Sequence, residues 1–132
     1  MGRNFFNLVI LSLSVFVFIF LAMSGWSSGK IMAQDAFVVS NLPGIKQGLQ
    51  FAFNDLDRYP QVLEFQDQKL MQNYFKPFPF KEFNSNTCPQ TYLYKRISLE
   101  SYEFSFCLEN SRQGYKAGWN KIIGAPSSNA GL

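Results

Sequence analysis

The sequence contains no histidine, and this absence removes several kinds of catalytic and binding site at once. Serine and cysteine hydrolases that use a histidine base are excluded, and so are metal sites built on imidazole ligands. A histidine switch near neutral pH is excluded for the same reason. Dispersed carboxylates and tyrosines offer no other catalytic set, so we expect a protein that is not an enzyme.

Charged residues are also scarce and scattered. They make up 16% of the 132 residues, with 12 Lys and Arg against 9 Asp and Glu. The cations stand singly among acids, so we expect no nucleic-acid partner. Asp55 and Asp57 lie at i and i+2, on different faces of a helix, and Glu103 and Glu109 are interpreted as solvent-facing strand residues. We expect no metal and no cofactor.

Cysteine is nearly absent as well, since Cys88 and Cys107 are the only two in the chain. Two cysteines are too few for a structural zinc site of the common type. In an exported chain an even number favours a disulfide, here closing a loop of about 20 residues. Two separate buried thiols are the alternative. A redox-active pair would be expected to have the short Cys-x-x-Cys spacing.

A long apolar run lies near the N-terminus. From Phe5 to Met23 it reads FFNLVILSLSVFVFIFLAM, without a charge, and it is long enough to cross a bilayer as a helix. Arg3 before the run, with Trp26 and Lys30 after it, favours a cytoplasmic N-terminus and an extracytoplasmic domain. The alternative is a signal peptide cleaved near residues 22–24. Either interpretation exports the remainder of the chain.

An amphipathic helix is predicted after this segment. Apolar residues recur at steps of four and three: Val38, Leu42, Ile45, Leu49, Ala52 and Leu56. This spacing places them on one face of a helix. Pro43 either lies in a first turn capped by Ser40 or Asn41, or kinks a helix that continues from the membrane segment. The Arg58-Tyr59-Pro60 stretch ends the helix.

The rest of the chain changes from helical to strand patterns. A short helix is predicted over roughly Phe65 to Phe75, with Leu70, Met71, Tyr74 and Phe75 on one face. A proline-punctuated loop, KPFPFKEFNSNTCP, follows it. Thr91–Ile97 and Ser101–Glu109 are predicted as a half-buried strand pair, and Trp119–Ile123 as a third antiparallel strand. In the second strand the inward residues are expected to be Tyr102, Phe104, Phe106 and Leu108, which alternate with Glu103, Ser105, Cys107 and Glu109 on the polar outer face.

These elements predict an α+β fold: an N-terminal transmembrane helix continues into an amphipathic helix packed on a small antiparallel β-sheet. The expected division is an anchor over 1–24, a helical region over 25–59, a head over 60–124 and a tail over 125–132. Most aromatic side chains are expected in the core. Phe78, Phe80 and Phe83, in the proline-rich loop, are the candidate contacts for a partner.

Two stretches carry a resemblance to type IV pilins and pseudopilins. MAQDAFVVSNLPGIKQGLQFAFNDLDRYPQVL is similar to the family's helical stretch of the form "I..AL..Y..D...YP..L". CPQTYLYKRISLESYEFSFCLEN resembles the "Y.Y....SYTL...LE" strands of pseudopilins that carry a cysteine pair. The similarity runs from about Lys30 to Asn110, with the apolar helix preceding it.

The resemblance implies a pilin-like fold and a structural or assembly subunit of a type IV pilus or type II secretion-like system. Its partners would be the lipid bilayer, through Phe5–Met23, and other pilin-like subunits. The chain departs from the family at Gly2–Phe6, where no glutamate follows the glycine into the apolar segment. In family members that carboxylate is taken to neutralise a neighbouring subunit's N-terminal amine. The alternative is an exported monomeric interaction module with this fold, anchored or released.

Overall fold

The computed structural model describes residues 2–76 and 79–126, with side chains described from residue 7 onward except at 24, 26 and 27. The chain order of the elements is helix α1 (Gly2–Leu56), helix α2 (Val62–Gln66), helix α3 (Gln68–Met71), strand β1 (Tyr92–Ser98), strand β2 (Ser101–Leu108) and strand β3 (Gly118–Gly124). The α+β class is confirmed. The chain separates into two compact units after Ala33.

The first unit is the apolar part of α1, in which the side chains described between residues 7 and 23 are exposed. Its serines satisfy their own hydroxyl groups, because Ser12 and Ser14 donate to the carbonyl oxygens of Val9 and Leu11, each over 2.9 Å. A serine bonded to the preceding turn carries little unsatisfied polarity into an apolar medium.

In the second unit, α1 packs through the stripe that the sequence predicts. All its members but Leu56 are buried, and Leu56 is partly buried. Pro43 lies inside α1, so it belongs to a helix that continues from the apolar segment and not to the first turn of a separate helix. The helix ends where Asp57 adopts a left-handed backbone with φ of 53°, a conformation that Asp tolerates better than most residues.

The three strands form one antiparallel sheet in the order β1-β2-β3. The four residues predicted to point inward from β2 are buried and lie in one core cluster with four members of the α1 stripe, from Val38 to Leu49. The prediction of a polar outer face on β2 is wrong at two positions, since Ser105 and Cys107 are buried too. A central strand has neighbours on both sides, and the disulfide covers the end of β2, so alternation in burial fades there.

The single short helix predicted over Phe65–Phe75 is replaced by two helices, α2 and α3. Asp67 separates them, and its carboxylate accepts from the backbone N–H groups of Lys69 and Leu70 at 3.0 and 3.3 Å. An aspartate in this position caps the helix that follows it. Met71 and Phe75 are buried as the predicted face requires, whereas Leu70 is exposed.

Side chains of the sheet hold the Tyr59-Pro60 corner in place. The Tyr59 ring is buried against the rings of Phe53 and Tyr102, at centroid distances of 4.9 and 4.7 Å. The Tyr94 hydroxyl donates to the Pro60 carbonyl oxygen at 2.9 Å. These contacts direct the chain from α1 back across β1.

Candidate functional site

The apolar part of α1 is the first candidate surface. By length and composition this helix could cross a membrane. Its exposed large side chains include Leu8, Leu11, Leu13, Phe16, Phe18, Phe20 and Met23. A continuous apolar surface of this size is unfavourable in water, and lipid or another apolar helix would cover it.

The disulfide is the second feature, and the prediction that Cys88 pairs with Cys107 is confirmed. The bond links the end of the loop over residues 79–91 to the C-terminal end of β2, with the two Cα atoms 5.6 Å apart. Closing a loop of this length in the unfolded chain stabilises the fold by about 3 kcal/mol.

The same end of β2 is fastened to α1 by a buried carboxylate that the sequence reasoning missed. Asp35 is 3% exposed, and its oxygens accept from the backbone N–H groups of Glu109 and Asn110 at 2.9 and 3.0 Å. The Asn110 side-chain amide adds a third bond at 3.2 Å. The available signal is spacing: Asp35 precedes Val38 and Leu42 by three and seven residues, on the buried stripe.

The loop over residues 79–91 is tied down along its length. Thr91 Oγ1 accepts from the Phe83 N–H at 2.6 Å and donates to the Phe83 carbonyl oxygen at 3.2 Å. Glu82 accepts from the Thr91 N–H at 3.0 Å, and the Ser85 hydroxyl donates to the Glu109 carboxylate. Glu109 is thus partly buried and bonded, unlike the solvent-facing residue that the sequence indicates.

The three candidate partner contacts have different positions. Phe78 lies outside the described residues. Phe80 is partly buried, with its ring 4.9 Å from that of Phe65 and 5.1 Å from that of Phe75. Phe83 is also partly buried, packs edge-on against Phe37 at 5.7 Å and carries Lys81 above its ring. Both rings touch the core, and their role in partner binding stays a prediction.

The carboxylates singled out from the sequence do not converge on one another. Asp55 accepts from the Tyr74 hydroxyl at 2.6 Å, and Glu103 pairs with Lys121 at 3.3 Å. In the part of the chain that the structure describes, no group of three Asp, Glu or Cys side chains is placed to hold a metal ion.

One ion pair does perturb a carboxyl group strongly. Arg58 donates to both oxygens of Glu64 at 2.6 and 2.7 Å, and Glu64 also accepts from the Gln61 N–H. These bonds, the Arg58 side chain foremost, lower the pKa of Glu64 to about 2. The pair fixes the first turn of α2 against the end of α1, which is a structural role.

Three tyrosines of the core have raised pKa values. Burial raises the pKa of Tyr102 to about 12 and raises the pKa of both Tyr92 and Tyr94 as well. Their hydroxyl groups therefore stay neutral at physiological pH and do not act as bases.

Comparison of the chain with models of known protein families, with curated proteins and with solved structures finds no match.

Proposed function

We propose that the chain is a membrane-anchored, non-enzymatic subunit of pseudopilin type, which serves as a structural or assembly component of a type IV pilus or type II secretion-like system. The observation that carries the proposal is helix α1. Its first part offers lipid or neighbouring helices an exposed apolar surface, and residues between Val38 and Leu49 of the same helix share one core cluster with the antiparallel sheet. The short sequence resemblance over Lys30–Asn110 supports it.

The proposed topology has the N-terminus in the cytoplasm and residues 34–126 outside it. Two features support this orientation: the placement of Arg3 and Lys30 around the apolar run, and the Cys88–Cys107 disulfide. A structural disulfide persists in an oxidising compartment and is rare in the cytosol.

Photocrosslinking in membranes tests assembly. A photoreactive phenylalanine analogue replaces Phe16, which is 77% exposed on the apolar part of α1, or Phe104, which is in the core. A subunit that packs through its helix gives crosslinked oligomers, or adducts with other single-span proteins, from position 16. Position 104 is the matched control and gives adducts only within the chain. Lipid adducts alone from position 16 would contradict the assembly role.

The second candidate function is an exported monomeric interaction module of the same fold. The missing glutamate in the apolar segment favours it, because the carboxylate assigned to subunit pairing in the resembling family is absent. The intact mass of the membrane-extracted protein separates the possibilities. A full-length mass supports an anchored subunit, loss of Met1 and Gly2 supports pilin-type maturation, and cleavage near residue 24 supports a released module.

A further inference from the structure

Strand β1 forms one edge of the sheet, since within residues 2–76 and 79–126 it pairs with β2 alone. The N–H of Cys107 donates to the carbonyl oxygen of Thr91 at 3.0 Å, which makes these two residues a hydrogen-bonded pair of the antiparallel ladder. Such pairs alternate, so Tyr92 and Tyr94 belong to non-hydrogen-bonded pairs and direct their N–H and C=O groups away from β2. Among the described residues, these outward groups form no further main-chain hydrogen bond.

A groove of about 350 Å³ lies beside this edge. It is lined by α2, the loop over residues 79–91 and β1, and its apolar lining residues are Val62, Phe65, Phe80, Tyr92, Leu93 and Tyr94. Aromatic and aliphatic side chains dominate this lining. Among the described lining residues, Glu82 is the only charged one, so the groove has a negative end and no cation.

The Tyr92 hydroxyl is a second sign of a missing partner. The residue is only 8% exposed, and within the described part of the chain its hydroxyl oxygen has no hydrogen-bond partner. By contrast, the Tyr94 hydroxyl two residues along the strand is bonded to Pro60. Buried hydroxyl groups are normally paired, and this one belongs to a residue that lines the groove, so a ligand bound there is a candidate for the missing partner.

We propose that this groove binds an extended peptide segment of another protein, which adds as a strand to the free edge of β1. Tyr92 and Tyr94 supply the main-chain groups, spaced as a strand requires. An apolar side chain of the peptide packs against Phe65 and Phe80, and a lysine or arginine side chain reaches Glu82. Pairing with the whole sheet of a second copy would require α2 to move, because α2 also lines the groove.

Amide hydrogen exchange on the full chain in detergent micelles tests this proposal. The probe is an acetylated, amidated peptide, Thr-Val-Thr-Val-Lys-Val-Thr, at millimolar concentration. We expect it to slow exchange at Tyr92 and Tyr94 at least fivefold. N-methylation of alternate residues along one edge of the probe abolishes the effect, whereas the same number of methyl groups along the other edge preserves it. Replacing its lysine by glutamate weakens binding about tenfold.

Two conservative variants test which side chains of the groove contact the peptide. Tyr92→Phe removes the unpaired hydroxyl, and Glu82→Gln removes the charge but keeps an oxygen for the Thr91 N–H. Each is expected to weaken probe binding three- to tenfold, whereas Glu100→Gln, an exposed position in the β1–β2 turn, leaves binding unchanged. Near-ultraviolet circular dichroism of each variant shows whether the aromatic core is intact.

Other outcomes overturn the proposal. No protection at Tyr92 and Tyr94, or protection at β3 instead, would mean that the β1 edge is not the binding site. Protection that rises with protein concentration without any probe would identify a second copy as the occupant. The readout is the exchange of β1 amides, which lie in the second compact unit, so a negative result here leaves the proposed assembly through the N-terminal helix untouched.

Discussion

Single atoms decide how two neighbouring tyrosines of β1 contribute to stability. Tyr94 and Tyr92 are both buried. The Tyr94 hydroxyl is bonded to the Pro60 carbonyl oxygen, whereas the Tyr92 hydroxyl has no partner among the residues that the structure describes. Removing one partner of a buried hydrogen bond leaves the other without a partner, which is the costly case.

Tyr94→Phe is therefore expected to lower the free energy of unfolding by about 1–2 kcal/mol. Tyr92→Phe removes a hydroxyl that has no partner among the described residues, so we expect it to leave stability unchanged or to raise it slightly. Urea denaturation of the full chain in detergent micelles, followed by near-ultraviolet circular dichroism, measures both. Equal losses in the two variants would contradict the assignment.

Two glycines in α1, Gly44 and Gly48, differ in the space that surrounds them. A Cβ added at Gly48 would overlap the buried ring of Phe75, whereas one added at Gly44 meets nothing within 4 Å. Alanine has a higher helix propensity than glycine, so both substitutions gain helix stability. Only the substitution at Gly48 also brings a steric clash with Phe75.

Gly48→Ala is expected to destabilise the fold by about 1–3 kcal/mol, because the Phe75 ring must leave its packed position. Gly44→Ala is the matched control, with an expected gain of up to about 1 kcal/mol. The urea midpoints of the two variants give the comparison. A stabilised Gly48→Ala would show that Phe75 has room to move.

At the scale of elements, helix α2 depends on a charge. The five residues of α2 are too few to form a stable isolated helix, so the bonds of Glu64 to Arg58 and to the Gln61 N–H hold its first turn. Because the folded pKa of Glu64 is about 2, below its unfolded value, its contribution is complete above about pH 4.5. The contribution is lost as the pH falls through 2.

Glu64→Gln should therefore destabilise the fold at pH 6 by at most about 1 kcal/mol, the usual range of a partly exposed ion pair. The difference from the unsubstituted chain should shrink as the pH falls from 5 to 2. Glu100→Gln, exposed in the β1–β2 turn, controls for the loss of one carboxylate. A difference independent of pH would contradict the role of the charge.

At the scale of the whole molecule, the buried Asp35 carboxylate joins two segments 74 residues apart. It holds the end of β2 against α1, next to the disulfide that holds the same strand end against the loop. The Asp35 hydrogen bonds and the disulfide thus act on the same end of β2, which indicates that this end of the sheet must keep its position relative to α1.

Asp35→Asn keeps the shape but presents an N–H₂ group to at least one of the three donors that Asp35 accepts from. We expect a loss of about 1.5–3 kcal/mol, the range for hydrogen bonds to a charged group. The same change at the exposed Asp57, whose left-handed backbone suits asparagine, should cost less than about 0.5 kcal/mol. Similar urea midpoints for the two variants would contradict the role of Asp35.

Much of the fold follows from local patterns, which explains where prediction succeeds. The stripe from Val38 to Ala52 is spaced at the helical period, and the large apolar residues of β2 recur at a period of two. The break at Asp67 is harder to predict, since the residues from Phe65 to Phe75 are compatible with one short helix. Only the capping bonds of the folded chain show that α2 ends before Asp67 and that α3 begins after it.

The sequence by itself determined the apolar helix, the α+β class, the amphipathic stripe and the cysteine pair, because each depends on composition or on spacing along the chain. Tertiary structure alone decided the partners of Asp35 and Tyr94, the burial of Ser105 and Cys107, and the groove beside β1. These features join residues far apart in sequence, and no local period encodes which backbone group a distant side chain will meet.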